Sequence, residues 1–309
     1  MSHTGHQIIS EFRVPLAESG FTTEILVCSK VEARAQVRAV EDFVRQNRVS
    51  RCLLLSVSRE VQSWFAQRSL PALVIGSGHE GIRLPSLDVD YRSVCRHAAG
   101  VFLGKGHRSL ALVIQQSGYA GDLASERGFR EGVAQHAASR SPRAVVVRHT
   151  GSARNTTAKL DALFRTAQAP TALLVAGSWE VMAVTIYLLR RGLAVPETVS
   201  LIARDWDYLF ETVDPQIAHY RFEGNAFPQR VSRLTLKLFS DGHLYCRASS
   251  FRKVAECRFT NHGAQVYTLR TQGDSPVALQ RQRRFILQPR VGARHERLPW
   301  ENRDEGHEP

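Results

Sequence analysis

Short apolar runs of Val, Leu and Ile alternate with amphipathic segments through most of this chain, and that alternation leaves few folds open. "TTEILVC" (22–28), "RCLLLSV" (51–57), "ALVIG" (72–76), "SLALVIQ" (109–115), "AVVVRH" (144–149), "TALLVAG" (171–177) and "VSLIARD" (199–205) read as strands. Between them, 31–47, 58–70, 92–106, 123–137, 156–168 and 179–192 read as helices, with apolar residues near one face. The strands are apolar throughout instead of alternating, which predicts a parallel sheet covered by helices on both faces. The class is α/β, doubly wound.

Helix boundaries support this division. Ser58 stands where an N-cap belongs, with Glu60 in the first turn. Gly106 after Lys105, and Gly192 after Arg190-Arg191, have the pattern of left-handed helix C-termini. From Thr271 the rhythm stops, and 271–309 read as a disordered, Arg-bearing tail in which "RFILQ" forms at most a short docking segment.

No apolar run approaches bilayer length, and the first twenty residues lack the basic-then-apolar pattern of a signal peptide. A soluble cytoplasmic protein is expected. Five cysteines (Cys28, Cys52, Cys95, Cys246, Cys257), scattered and odd in number, suit reduced thiols. The net charge of +12 tolerates a polyanionic partner, but the basic residues are dispersed apart from "RQRR" at 281–284. Charge alone does not make a nucleic-acid reader.

The chemistry-bearing residues collect at strand ends. "VSLIA" runs straight into Arg204-Asp205-Trp206-Asp207, "TALLVA" into Gly177-Ser178-Trp179, and "SLALVIQ" toward Tyr119, Asp122 and Ser125. In open parallel sheets ligands bind at the carboxyl ends of strands. Carboxylates, hydroxyls and indoles there suit a polyol, accepting its hydroxyls and covering its C–H faces. As a strand-tip residue, Asp205 should be replaceable without much effect on folding. Asp205 and Asp207, two apart, lack anything to make one a raised-pKa acid, so no catalytic pair is assigned. "GSGHEG" (76–81) matches G-x-G-x-x-G, but "IRLPSLDVD" follows where a helix would have to begin, so it reads as a loop and not a nucleotide cradle. No metal or cofactor motif occurs.

The order of these segments resembles the LacI/GalR-type bacterial regulators. "LPSLDVD" before a helix and "GKGH" before the next strand carry the likeness, as do "GLAVPETVSLIARD" and "VDPQIAHYRF". The resemblance covers about residues 7–265. It implies two Rossmann-like lobes joined by three crossovers, a homodimer, and a small sugar-like effector in the cleft between the lobes. It places the lobes at 1–115 with 222–242, and at 116–221 with 243–270. It puts Asp205 on the effector's hydroxyls and Arg221 in the cleft. Gly177-Ser178 stand where the family has Asn-Asp, and Ser125 where an Arg is usual. The aromatic-rich "RDWDY" and "AHYRF" are more similar to the branch joined to a GntR-type winged helix. No helix-turn-helix signature occurs in the chain, so operator DNA would be read through an N-terminal module not present here. "HQIISEFRVPLAESG" resembles the helix that follows the family's first strand, so that strand too is expected to be missing and the start to be internal, or the gene a remnant. A transporter's solute-binding protein shares this fold and is the alternative. An enzyme is not expected.

Overall fold

The computed structural model of the chain describes residues 16–18, 20–28, 32–136, 141–222, 226–241, 249–251 and 255–258, with the backbone alone for 221–222, 226–229, 239–241, 249–251 and 255–258. The tail expected at 271–309, "RFILQ" included, lies outside the described residues.

In chain order the elements are α1 (Ala33–Gln46), β1 (Cys52–Leu55), α2 (Arg59–Ala66), β2 (Ala72–Ile75), β3 (Ser86–Val89), α3 (Tyr91–Gly104), β4 (Ser109–Gln115) and α4 (Ala120–Ala134). There follow β5 (Arg143–His149), α5 (Ala153–Phe164), β6 (Ala172–Val175), α6 (Ser178–Arg190), β7 (Ser200–Ala203) and α7 (Leu209–Thr212). The last are β8 (Ala218–Phe222), α8 (Ala226–Asp241), β9 (Ser249–Phe251) and β10 (Ala255–Arg258). They build two sheets, β1-β2-β3-β9 and β10-β8-β7-β6-β4-β5. Every described pairing is parallel except β10 with β8.

Both sheets are covered on both faces, which is why their strands are apolar throughout. Leu110, Leu112 and Ile114 of β4 point to one core with Val94, Ala98 and Phe102 of α3 and Phe129 of α4. Ala111 and Val113 point the other way, toward Leu160 of α5 and Val181 and Val184 of α6. On the smaller sheet, Leu73 and Ile75 of β2 meet Val231 and Leu238 of α8, while Ala72 and Val74 meet Val61, Trp64 and Phe65 of α2. Period two on a doubly covered strand leaves no polar position.

Helix ends follow the sequence closely. The amide of Val61 donates to Ser58 Oγ at 3.4 Å. Gly106 (φ +93°) and Gly192 (φ +65°) are left-handed. His107 N donates to Phe102 O and Gly106 N to Leu103 O, and Leu193 and Gly192 repeat the pattern on Leu188 and Leu189. These are Schellman closures that satisfy the last carbonyls of α3 and α6.

Three features differ from expectation. β4 stands in the larger sheet, so the chain leaves the first lobe near residue 90 and not at 115. It returns between β8 and α8 and crosses again between β9 and β10, making the three expected crossovers. β3 was not read as a strand: it has four residues and follows Pro85, too little for periodicity to register. "TTEILVC" forms no ladder, and Ile25 (48%) and Val27 (71%) are exposed. The larger sheet has its first strand, β4, between the second and third, an order that would set two more strands outside β1 in the smaller sheet. Among the described residues none pairs with that edge of β1. Residues 22–28 have strand propensity, but among the described residues no strand pairs with them.

Candidate functional site: the cleft at the strand tips

The tips of β2 and β3 in one sheet approach those of β4 and β7 in the other, where Asp88 interacts with Arg204 and Asp205. The lobes meet there. An added Cβ on Gly121, in the first turn of α4, would lie 3.3 Å from Ser77 Oγ, just past β2. It would also lie 3.1 Å from the ring of Tyr91.

Arg204 is the centre of the site, and reading the sequence missed it. It directly follows β7 and is 8% exposed. Its Nε and Nη2 donate to the two carboxylate oxygens of Asp205, each at 3.0 Å. Nη1 donates to Asp122 Oδ1 at 2.8 Å and to Ser125 Oγ at 2.9 Å. The guanidinium carbon sits 4.2 Å from the centre of the Tyr91 ring. Burial works to lower the Arg204 pKa, but Asp205, Tyr91 and Asp122 outweigh it and hold the value well above the ordinary one. Arg204 is therefore a fixed cation. The available signal was the charged pair Arg204-Asp205 directly after an apolar strand: one member had to turn inward.

The expected site residues divide around it. Asp205, Asp122 and Ser125 are brought together, all on Arg204. Ser125 is fully buried and also donates to Gly121 O. Asp122 accepts from Ser117 on its other oxygen. Asp205 is thus an ion-pair partner of a buried arginine, so the expectation that its loss would leave folding untouched does not hold. Gly177 and Ser178 begin α6, Gly177 as N-cap. Trp179 is exposed at 41% and meets the His149 ring edge-on at 5.5 Å. Trp206 is turned aside, its indole N–H donating to Glu211 of α7 at 3.0 Å. Asp207 accepts the Leu209 amide as a turn cap. Arg221 pairs through its backbone with Glu256, and its side chain lies outside the described residues.

Two further carboxyls flank this cluster. Asp88, at the tip of β3, accepts from Ser77 Oγ and from the Val89 amide, and burial pushes its pKa up to about 6. Glu180, in the first turn of α6, is 4% exposed, and burial pushes it up to about 7. Its Oε1 lies 3.7 Å from His149 Nε2. Its Oε2 has no side-chain donor among the described residues and fills the space that a side chain at 177 would take, 2.1 Å from where a Gly177 Cβ would stand. A side chain at 177 would have to displace the Glu180 carboxyl. The G-x-G-x-x-G segment forms a loop closed by Gln62, which accepts from the His79 amide, and β3 follows with no intervening helix.

Residues 99–244 match the periplasmic binding protein-like domain family. No curated protein matches the sequence. Among solved structures, the chain is similar to a lactose repressor bound to the anti-inducer ONPF, with 17% identity, 80% of this chain and 91% of that one covered, and a TM-score of 0.68. It is similar to a putative LacI transcriptional regulator of Bacillus cereus subsp. cytotoxis, at 13% identity, 85% and 90% coverage and a TM-score of 0.67. A sugar-binding LacI-family regulator of Escherichia coli complexed with phosphate matches at 17% identity, 81% and 92% coverage and a TM-score of 0.63. At these identities the likeness is one of fold.

Proposed function

We propose that the chain, whose residues 99–244 match the periplasmic binding protein-like family and whose fold is that of LacI-type regulator cores, is the effector-binding and dimerising part of a LacI/GalR-like transcription regulator. The observation that carries this reading is the approach of Ser77 and Asp88 from one lobe to Gly121, Arg204 and Asp205 of the other, beside Asp122, Ser125 and Glu180. A small polar, sugar-like molecule entering there touches both lobes at once. Its binding energy then favours the closed arrangement over the open one. Closure alters the outer faces of the lobes, and a two-fold partner senses the change. The exposed Ile186 and Leu189 on α6 supply an apolar surface for such a partner. DNA is contacted through a separate reading module, and the cleft does no chemistry.

The test uses a thermal-shift panel of sugars, polyols and related small polar compounds on the 309-residue chain. Ser178 is half-buried at the start of α6, two residues before Glu180. Ser178→Trp fills the space, so a compound that raises the wild-type melting temperature should lose at least tenfold in affinity. Equal affinity in the two proteins would place binding outside the cleft.

A further inference from the structure

The cleft's electrostatics say more about the ligand than its fold does, provided the cleft is the ligand site. Asp88, Asp122, Glu180 and Asp205 surround a single described cation, Arg204. That cation is unavailable to an anionic ligand. Three of its nitrogens already donate to Asp205, Asp122 and Ser125, and Tyr91 covers its face. Helix N-termini ordinarily attract anions. Here the N-termini of α3, α4 and α6 each hold a carboxylate of their own, Asp90 as the cap of α3, Asp122 in the first turn of α4 and Glu180 in the first turn of α6. What is left over is acceptor capacity. Glu180 is 4% exposed, its carboxyl meets its own backbone amide, its Oε2 has no side-chain donor among the described residues, and its charge couples to Asp205, Arg204 and Asp122. His149 approaches only the other oxygen. A buried carboxylate oxygen left without a donor is uncommon in a folded protein and calls for one.

We propose that the ligand of this cleft carries a protonated nitrogen, an ammonium or amidinium group, that donates to Glu180 while its polar remainder meets Ser77, Asp88 and Ser178. Charge-assisted N–H donors suit this site better than neutral hydroxyls. A carboxylate or phosphate ligand would instead add negative charge to an acidic, partly dehydrated cluster.

Isosteric series separate these chemistries. Titration calorimetry on the full chain at pH 7.5 would compare amines, each with its matched alcohol and acid. Glucosamine, glucose and glucuronate form one set, and 1,4-diaminobutane, 1,4-butanediol and succinate another, within a panel built on the same plan. The expected result is a best amine binding at least tenfold tighter than its alcohol, with no binding by its acid. Glu180→Gln should reduce the amine-to-alcohol ratio to near one. If that variant fails to fold, the salt dependence of the wild type serves instead, and amine affinity should fall as ionic strength rises. An alcohol or acid binding as tightly as its amine would overturn the charge assignment while leaving the cleft as a ligand site. Silence across the whole panel would count against both.

Discussion

Arg204 donates through three nitrogens to Asp205, Asp122 and Ser125, and its side chain is removed from water. Breaking a buried pair on one side leaves a charge without compensation, which is far costlier than the pair's net worth. Asp205→Ala is therefore a folding variant as much as a binding one. Strand-tip logic located Asp205, Asp122 and Ser125 correctly as neighbours, because all three follow apolar runs. It could not find Arg204 or Glu180, because inward orientation depends on which partners another strand supplies. Glu180 also gives the protein a pH signature. Its folded pKa of about 7, like the value of about 6 at Asp88, lies above the ordinary carboxyl range. The folded state therefore keeps protons that the unfolded state has released, and stability declines as pH rises from about 4.5 through 7. Burial lowers the pKa values of His79, His97 and His107, so those groups act in the opposite sense, weakening the fold as pH falls below 6.5. Comparison with Glu180→Gln cancels them. Denaturant unfolding at pH 5 and pH 8 should show the variant gaining on wild type at the higher pH, with a slope difference approaching one proton. Parallel profiles would mean that Glu180 is not held protonated.

At the scale of elements, local rules were legible and pairing was not. Ser58, Gly106 and Gly192 act where a cap and two left-handed ends were read, because those signals are written within a few residues. β3 escaped because four residues after a proline carry no period, and 22–28 looked like a strand because propensity is local while a ladder needs a neighbour. The tightest packing is between α3 and α4, where glycines four apart let the backbones touch. A Cβ on Gly128 would lie 2.0 Å from Arg92 O, and one on Gly132 2.5 Å from Arg96 O. These are backbone atoms of α3, so they cannot swing away as a side chain would. Gly128→Ala, ordinarily a gain in helix propensity, should destabilise the fold by about 3 kcal/mol in denaturant unfolding. A neutral or stabilising result would show that the two helices do not cross this closely.

At the scale of the molecule, three crossovers make two sheets depend on each other. The resemblance put a lobe boundary at 115, but β4 lies inside the larger sheet between β5 and β6, which moves the boundary to about 90. The site lies where β3 hands over to α3 and where β4, β6 and β7 end, so a ligand there bears on the junction itself. Hydrogen exchange tests this most directly, measured with and without the compound that most raises the melting temperature. Binding between the lobes should slow exchange together at 77–91, at 118–125, at 177–181 and at 204–209, with β5 and the helices remote from the cleft unchanged. Protection confined to one lobe, or centred away from these tips, would contradict an effector held between them.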